Sequence, residues 1–559
     1  MIKKLPITNY QLLLFLIIII ASFFRLYNIT QLPPGLYPDE AMNGTNAQEA
    51  LATHNFKVFY PENNGREGMF INIQAISVAT LGNFPWALRG VSALFGIFTV
   101  LGIYFLAKEL LNYASSKISE KFKTNAALLS AFLLAINFWH INFSRISFRA
   151  IMAPAFLTWS LYFFFKALNQ VKNKSQAPST ESQTISNDQN YNNQKSFGIW
   201  DLKFVILSIL GGLMFGLGFH SYIAFRAMPA LMLVIFFYDW FARKDSRKKL
   251  LVASAWFILA TFIIALPIGI YFLKNPADFM GRTTQVSIFA SGHPLTDLGS
   301  NILKTSGMFN IQGDWNWRHN FSGRPELDWL AGVLFLIGIA IAIKNIYQSL
   351  KIKIENYRLK LKNTGFPEAD GGTLNFAFLF LISFLIIAAL PVVVSNEGIP
   401  HALRSIIMIP PVFILAGIGG AWILSRIENY ELRIMNDNDN KKVKVIIHYS
   451  LFIILALSAV TTYYTYFIAW ANNPNVQGAF AADYAQIGRD LNALPKDMPK
   501  YVVVPTGGVL VRGIPMPSQT VMFITDTFTP DKQTTKNIHY VLPDQASQIP
   551  TGAYTVILK

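Results

Sequence analysis

The sequence of 559 residues contains no cysteine and little charge, with Asp, Glu, Lys and Arg making up only 14% of it. The lack of cysteine excludes disulfides, thiolate metal sites and cysteine nucleophiles. It also means that cysteine usage cannot indicate whether the protein faces an oxidising or a reducing compartment. Soluble globular proteins carry about 25% charged residues. Because 52% of the residues are hydrophobic, the composition excludes a disordered chain and argues for a membrane protein over a cytosolic enzyme.

Eleven apolar runs are candidates for membrane spans, since a bilayer core of roughly 30 Å needs about 20 apolar residues in a helix. The first run is followed by Arg25, Leu26 and Tyr27 rather than by a small-residue cleavage site. We therefore expect a retained span with an interfacial anchor, not a signal peptide. The segment 68–82 could span or lie in the interface. The predicted spans are 10–24, 86–107, 124–139, 148–165, 201–219, 223–241, 250–273, 329–346, 374–394, 403–425 and 446–470.

The distribution of positive charge predicts the orientation, because cytoplasmic loops collect Lys and Arg. If 68–82 does not span, more than half of the 47 Lys and Arg residues fall on the side of the N-terminus. We therefore predict a cytoplasmic N-terminus and an extracytoplasmic C-terminus. The net charge of +16 then reflects orientation, and no nucleic-acid partner is expected, because the basic loops lack aromatic and groove-reading residues.

The predicted membrane domain covers residues 1–470. It includes two long outer loops, 28–85 and 274–328, and a polar low-complexity cytoplasmic loop, 169–199, that we expect to be disordered. Residues 471–559 have the composition of a small soluble unit. In that unit AADYAQIGRDLNAL has helical spacing, while YVVVP, QTVMFITD, IHYVLPD and AYTVILK have the pattern of short strands. This predicts a small extracytoplasmic α/β domain.

Polar residues on the outer side are the candidates for a functional site. Asp39 and Glu40 open a helix-like stretch, where the helix dipole favours carboxylates, so simple capping is one interpretation of the pair. Arginine, whose planar fork of donors matches phosphate oxygens, dominates the outer interface. Some of these arginines could instead anchor helix ends, but together with the carboxylates they predict a clamp for a phosphorylated, membrane-embedded ligand. They are Arg66, Arg89, Arg145, Arg149, Arg226, Arg318, Arg324 and Arg404, mixed with His140, His220, His319 and His401.

The second long outer loop contains a cluster of aromatic and polar residues that suits a sugar or a headgroup. Rings of this kind stack on a sugar while their polar neighbours form hydrogen bonds to it. A tryptophan-rich belt at the membrane interface is the alternative. The candidate acceptor- or sugar-binding residues are Asp314, Trp315, Trp317, Arg318, His319 and Arg324.

Several of these segments together resemble the GT-C membrane glycosyltransferases, in particular the bacterial members similar to protein O-mannosyltransferases and to lipid A aminoarabinose transferase (ArnT). The resemblance covers about residues 10–425, and its strength lies in the order and sidedness of the motifs rather than in any one of them. The segments are YPDEAMNGTNAQEAL, NNGREGMFI, PWALRGVSALFG, NFSRISFRAIMAP, GDWNWRHNFSGRPELD and GIPHALRSIIMIPP.

The resemblance implies an all-α polytopic fold of about eleven transmembrane helices, with juxtamembrane helices in the first outer loop, located in the cytoplasmic (inner) membrane. It also implies transfer of a sugar from a polyprenyl phosphate carrier to a protein, lipid or glycan outside that membrane. The family's general base maps to Asp39, with Glu40 beside it, and its second acidic residue maps to Glu67. Some members carry an acidic residue after the Ser-Arg motif, whereas this chain has Arg149 there. An arginine at this position suits the binding of phosphate instead.

The chemistry of such a transfer assigns the remaining roles. A base takes the proton of the acceptor hydroxyl, and cations stabilise the leaving phosphate. The candidate donor-phosphate ligands are Arg66, Arg145, Arg149, Arg404 and His401. A divalent metal cation could assist through Asp39, Glu67 or His401, although no ligand spacing requires one. An O-antigen ligase or polymerase, a polytopic lipid or solute transporter and a non-enzymatic scaffold remain the alternatives.

Overall fold

The computed structural model describes most of the chain, and its helices account for nearly all of the membrane part. The described residues are 9–115, 118–172, 199–244, 247–285, 287–290, 292–362, 374–434, 440–505 and 507–559. The predicted disordered loop 169–199 thus lies largely outside the described residues.

Twenty α-helices, numbered here in chain order, lie within the described part of the chain. They are α1 Asn9–Leu26, α2 Pro38–Thr53, α3 Gly68–Leu81, α4 Pro85–Ala114, α5 Glu120–Ile136, α6 Phe138–Arg145, α7 Met152–Lys172, α8 Ile199–Gly218, α9 Pro229–Ala242, α10 Arg247–Lys274, α11 Pro276–Gln285, α12 Pro294–Gly307, α13 Trp329–Lys362, α14 Leu374–Val393, α15 Ile409–Ile434, α16 Asn440–Tyr463, α17 Pro474–Ala479, α18 Ala482–Ala493, α19 Gln519–Thr525 and α20 Pro530–Lys536. A π-helical segment, Tyr464–Trp470, continues α16.

All eleven predicted spans are helical, but their lengths differ. Nine helices in the described residues are long and apolar enough to cross a membrane. The bent pair α5–α6, with a 58° angle at its break, is a tenth candidate. The eleventh, α8, has a shorter apolar part, Leu202–Gly218. The ambiguous segment 68–82 forms α3, whose 14 residues fall short of the roughly 20 that a span needs.

Arg25 holds the break between α5 and α6 and is not the interfacial anchor predicted from its position. Its guanidinium donates to the carbonyls of Leu134 (3.2 Å) and Ala135 (2.9 Å), which lie in the last turn of α5. The last carbonyls of a helix have no intrahelical partner, and a cation is favoured there by the helix dipole. Arg25 is therefore fully buried, because it satisfies backbone groups that the bend leaves free.

The first outer loop folds against the ends of the spans. It contains α2, α3 and a short antiparallel hairpin, β1 (Phe59–Tyr60) with β2 (Arg66–Glu67), in which Phe59 pairs with Glu67. Helix α2 begins with Pro38, whose fixed φ suits the first helical position. These elements place Asp39 near Arg66 of β2.

The C-terminal unit is a small α/β structure, as predicted. Three parallel strands in the order β6–β3–β7 form its sheet, and a separate hairpin pairs β4 with β5. The predicted helix over AADYAQIGRDLNAL is α18. The strands are β3 Lys500–Val503, β4 Leu510–Val511, β5 Ile514–Pro515, β6 Ile538–Val541 and β7 Tyr554–Ile557.

One predicted strand of this unit, QTVMFITD, is wrong: it forms helix α19. The helix packs on α2, where Gln519 accepts from the hydroxyl of Thr45 (2.9 Å) and the carbonyl of Phe523 accepts from Gln48 (3.1 Å). A Cβ at Gly44 would lie 2.4 Å from the Phe523 ring, so glycine permits this close approach. These tertiary contacts outweigh the small cost of β-branched residues in a helix.

Candidate functional site

A cavity of about 550 Å³ lies between the first outer loop, the second outer loop and the outer ends of the spans. Aromatic residues from the first outer loop (Tyr37) and from the ends of spans (Phe148 and Tyr222) contribute to its wall. Its charged and imidazole side chains are Asp39, Arg66, Glu67, Arg149, Arg226, Asp278, Arg318, His319, Glu397, His401 and Arg404. The cavity therefore combines four carboxylates with five arginines and two histidines.

Asp39 and Glu40 are adjacent in sequence but lie in different environments. Asp39 is half-buried, lines the cavity and accepts a hydrogen bond from the amide of Asn63 (2.7 Å). Glu40 lies outside the cavity lining, fully buried, in an ion pair with Arg89 at 3.0 Å. It also accepts from the backbone N–H of Ser147 (2.8 Å). Of the predicted pair, Asp39 is thus the carboxylate that a ligand can reach, and Glu40 ties α2 to α4.

Glu67 and Arg149 meet across the cavity wall. The Glu67 carboxylate forms an ion pair with Arg149 at 2.6 Å, and both residues line the cavity. Arg149 also lies over the ring of Tyr222, 5.7 Å from its centroid. The positive charge of Arg149 is therefore largely neutralised by Glu67.

Arg66 is held by neutral partners. Its guanidinium donates to the amide oxygens of Asn43 (2.7 Å) and Asn46, both on α2. Burial, followed by the nearby charge of Arg149, lowers the pKa of Arg66 to about 10, which leaves it protonated at neutral pH. Its buried Nε has no hydrogen-bond partner. Asp39 and Glu62 lie near enough to favour the charged form of Arg66, but neither they nor another carboxylate of the described residues forms an ion pair with it, and in this sense we call Arg66 an uncompensated cation.

Arg226 and Arg318 likewise form no ion pair with a carboxylate among the described residues. Arg226 lies over the rings of Phe272 and Phe279 and donates to the Phe279 carbonyl (2.9 Å). Arg318 stacks on Tyr37, 3.8 Å from the ring centroid. By contrast, Arg404 pairs with the half-exposed Glu397 at 3.0 Å.

Asp314, His319 and His401 form a cluster of three candidate metal ligands. One ligand atom from each lies within 4.8 Å of the others. Asp314 Oδ2 is 2.9 Å from His319 Nδ1 and also accepts from the backbone N–H of Ala402. The buried Nδ1 of His401 has no hydrogen-bond partner and lies 3.7 Å from the same Oδ2. The two imidazoles line the cavity, while Asp314 lies behind them.

The electrostatics of this cluster favour the metal-binding forms of all three residues. Burial lowers the pKa of His319 and lowers the pKa of His401 further, so both imidazoles are neutral at pH 7. Burial alone would raise the pKa of Asp314, but the hydrogen bond from His319, followed by the positive charge that His319 and His401 carry when protonated, lowers it overall. Metal ligands must be deprotonated, and the direction of each of these three pKa shifts favours that form.

Behind the cluster, Glu326 holds the second outer loop in place. Its Oε1 accepts from the backbone N–H of Asp314 (2.9 Å), whereas its buried Oε2 has no hydrogen-bond partner. Burial raises the pKa of Glu326 well above its usual value. A protonated Glu326 can accept this bond without placing a second negative charge beside Asp314.

Several other predicted site residues lie outside the cavity lining. Arg145 is fully buried and donates to the carbonyls of Phe24 (3.1 Å) and Leu32 (2.9 Å). Trp315 is exposed and covers Gly323. Trp317 packs on Phe321, and Arg324 also lies over that ring. Of the six candidates in the second outer loop, only Arg318 and His319 reach the cavity.

The structure adds cavity residues that were not assigned a role from the sequence. Arg226 was noted only as one of the outer arginines. Tyr37 and Asn63 lie in segments that carry the family resemblance but had no role of their own, and Tyr222 lies outside those segments. Asn63 could have been suspected, since Asn63, Asn64 and Gly65 form a turn in which all three residues have positive φ, and Asn and Gly are typical of such turns. The others are recognisable only in three dimensions.

The C-terminal unit reaches this site through the β4–β5 turn. Arg512 donates to both carboxylate oxygens of Glu49 (2.9 Å each) and to Glu62 (3.0 Å). Glu62 in turn accepts from Asn46 (3.0 Å), the residue that holds Arg66. A continuous set of polar contacts therefore joins the C-terminal unit to a cation of the cavity.

Comparison with known proteins shows the fold. No family model matches the sequence, and no curated protein matches it. Among solved structures, the chain is similar to ArnT from Cupriavidus metallidurans bound to undecaprenyl phosphate, with 12% identity, a TM-score of 0.50, and coverage of 98% of this chain and 90% of that one. It is also similar to the Archaeoglobus fulgidus oligosaccharyltransferase tethered with an acceptor peptide, with 13% identity and a TM-score of 0.49, and it spans 64% of that chain's length. The similarity to ArnT confirms the predicted polytopic membrane fold.

Proposed function

We propose that this protein transfers a sugar from a polyprenyl phosphate donor to an acceptor at the outer face of the cytoplasmic membrane. The observation that carries the proposal is the juxtaposition, in one cavity, of the reachable carboxylate of Asp39 with three arginines that lack carboxylate partners. Uncompensated guanidinium groups suit a phosphate ligand. The similarity to ArnT, a protein whose structure holds undecaprenyl phosphate, supports a lipid-linked donor.

The proposed step is a single displacement at the anomeric carbon of the donor sugar. The acceptor hydroxyl oxygen forms the new bond to that carbon while the bond between the carbon and the phosphate oxygen breaks. Asp39 takes the hydroxyl proton, which is general-base catalysis, and the bonding pair leaves with polyprenyl phosphate. One displacement inverts the configuration of the anomeric carbon.

Donor phosphate binding is assigned first to Arg66, Arg226 and Arg318. Arg149 and Arg404 also face the cavity, but each already pairs with a carboxylate. Preorganised cations of this kind stabilise the charge that develops on the leaving phosphate. Glu67 positions Arg149 in this scheme, and Glu40 positions α2.

The reaction itself tests this function. The purified protein is incubated with a panel of polyprenyl phosphate sugars, and released polyprenyl phosphate is measured by mass spectrometry. Release that depends on the sugar and on the protein supports glycosyl transfer. Intact donors throughout the panel, with a protein that binds polyprenyl phosphate, would exclude transfer from this class of donor.

Replacing an uncompensated arginine should weaken donor use. Arg226→Gln or Arg318→Gln removes a charged hydrogen-bond donor worth about 1.5–3 kcal/mol, so the apparent KM for the donor should rise roughly 10- to 100-fold. The matched control is Arg489→Gln, on an exposed face of α18, which should leave KM unchanged. An unchanged KM in both cavity variants would contradict the phosphate assignment.

We further propose that Asp314, His319 and His401 hold a divalent metal cation. Two neutral imidazoles and one carboxylate are a ligand set typical of Zn²⁺. The buried Nδ1 of His401 has no hydrogen-bond partner, which suits a metal-ligand atom. When bound, such an ion supplies positive charge beside the phosphate-binding arginines. This assignment replaces Asp39 and Glu67 as metal ligands, since neither belongs to the cluster.

The metal assignment predicts stoichiometric metal in the purified protein. One equivalent of Zn²⁺ should be retained after dialysis and measured by inductively coupled plasma mass spectrometry. His401→Ala should lower retention at least 10-fold. His293→Ala, an exposed residue of the same outer loop as His319, serves as the control. Equal metal content in the two variants would contradict this site.

The proposed location can be tested on a chain that has no native cysteine. Thr53→Cys at the end of α2 and Lys244→Cys between α9 and α10 both introduce exposed thiols. In whole cells an impermeant maleimide should label the first variant and spare the second until the membrane is opened. The reverse pattern would invert the proposed orientation.

A further inference from the structure

A second cavity, of about 500 Å³, lies at the outer end of α10. It is separate from the candidate active site, although the two share Phe59 as a wall residue. It is lined by Lys57, Val58, Phe59, Pro61, Pro267, Ile270, Tyr271 and Lys274.

The charge of this second cavity is wholly positive. Lys57 and Lys274 line it, and no carboxylate does. Neither lysine forms an ion pair with a carboxylate in the described ranges. The ammonium group of Lys57 lies over the ring of Tyr60, 5.5 Å from its centroid. Asp278, the nearest acidic residue in sequence to Lys274, accepts a hydrogen bond from Tyr271 (2.7 Å) and lines the first cavity instead. The two ammonium groups therefore remain available to an anion.

The surface next to the cavity is the exposed apolar face of α10, which suits contact with lipid. Helix α10 is a candidate span of which only 22% of the apolar window is buried inside the protein. Leu266, Ile270 and Leu273 are exposed along its outer end. Pro267, inside α10, cannot donate the usual helical hydrogen bond, and it lines the cavity. An apolar helix face thus runs directly up to two lysines at the end of a span.

We propose that this second cavity binds the headgroup of an anionic phospholipid of the outer leaflet. The phosphodiester would lie between Lys57 and Lys274, and the acyl chains would follow the exposed apolar face of α10. Lysines near the ends of spans lie at the level of the lipid phosphates, and anionic headgroups attract such residues. Charge complementarity and continuity with the lipid-facing helix identify this occupant.

The wall between the two cavities excludes the lipid-linked sugar donor from this role. The ring of Phe59 packs against Tyr271 and Phe272, at centroid distances of 5.1 and 5.2 Å. Asp39 and the uncompensated arginines lie on the other side of this aromatic wall. A phosphate held by Lys57 and Lys274 is therefore out of reach of the proposed chemistry.

The bound phospholipid would support the hairpin of the first outer loop. Phe59 pairs with Glu67 in the β1–β2 ladder, and its ring lies so close to Gly65 that a Cβ there would be 2.5 Å away. A lipid packed on the outer side of Phe59 fixes the strand pair that carries Arg66 and Glu67. This consequence for activity rests on the proposed function, whereas lipid binding itself does not.

Native mass spectrometry of the full chain tests the binding. The protein is extracted from liposomes of phosphatidylglycerol and phosphatidylcholine in equal parts, and the phosphatidylglycerol that survives gentle activation is counted. Each lysine near a membrane surface contributes roughly a fivefold preference for anionic lipid, so Lys57→Gln/Lys274→Gln should lower retention ~30-fold. Lys304→Gln, an exposed lysine of the same outer side, should retain the lipid as the wild type does.

A charge-preserving variant completes the test. Lys57→Arg/Lys274→Arg should retain phosphatidylglycerol, because the proposal requires positive charge at these positions. Equal retention by the glutamine double variant and the wild type would overturn the proposal, as would displacement of the lipid by added polyprenyl phosphate. Since the readout is bound lipid, it can fail while glycosyl transfer is intact, and the reverse also holds.

Discussion

Asp39→Asn is expected to lower the rate of glycosyl transfer by about 10²- to 10⁴-fold, the usual contribution of a general base. Asparagine keeps the shape of the side chain and can still bond Asn63, but it cannot take the proton of an acceptor hydroxyl. Donor binding should be unaffected, because the cavity arginines are unchanged. The expected signature is therefore a fall in kcat with a nearly constant KM for the donor.

Asp483→Asn is the matched control for this experiment. Asp483, like Asp39, lies in the first turn of a helix, but it is exposed on the C-terminal unit. Any effect that reflects only the loss of a carboxylate from a helix N-terminus should appear in both variants. Near-wild-type kcat in Asp39→Asn would remove Asp39 from the mechanism.

Glu40→Ala is expected to destabilise the folded protein by about 3–5 kcal/mol, the usual cost of removing one partner of a buried ion pair. The loss leaves Arg89 buried without a counter-ion, and it also leaves the backbone N–H of Ser147 without its acceptor. The variant should show a markedly lower thermal midpoint of aggregation in detergent. Less of it should elute as a monodisperse species in size-exclusion chromatography.

Glu49→Ala provides the control, since it removes a carboxylate from the same helix, α2. Glu49 pairs with Arg512 at the partly exposed edge of the C-terminal unit, where an ion pair contributes about 1 kcal/mol or less. Its effect on the thermal midpoint should be small. If Glu40→Ala were as stable as Glu49→Ala, the Glu40–Arg89 pair would not be holding α2 against α4.

These two predictions separate residues that the sequence presents as a pair. Periodicity indicated a helix starting at Pro38, and helix geometry alone makes successive side chains point about 100° apart. Which of the two carboxylates faces the cavity depends on where α4 places Arg89, 49 residues away in sequence. That is a tertiary contact, and no local pattern encodes it.

The spans were predictable because a bilayer demands long apolar helices and little else. The break between α5 and α6 was not, because it depends on Arg25 satisfying carbonyls more than 100 residues away. Helix α19 was misassigned as a strand for a similar reason, since its packing on α2 decides its conformation. The local hydrophobic pattern therefore predicted the membrane spans, whereas long-range packing determines the α5–α6 break and the conformation of α19.

The candidate site was partly predictable from the chemistry of its residue types. Arginines and carboxylates on the outer side pointed to a phosphate-binding site, but sequence could not distinguish Arg145, whose donors are used on backbone carbonyls, from Arg226, whose charge faces the cavity. The cluster of Asp314, His319 and His401 joins two separate loops without a recognisable spacing. From the sequence, its two histidines were assigned to different roles. In the structure their ring centroids lie 4.9 Å apart.

The most direct test of the central claim, that this cavity holds the phosphate of a lipid carrier, is an electron cryo-microscopy structure of the protein in nanodiscs with polyprenyl phosphate. Phosphate density is expected within hydrogen-bonding distance of at least two of Arg66, Arg226 and Arg318, with the polyprenyl chain leaving toward the bilayer. Phosphate density at another site, with the cavity filled only by solvent, would contradict it.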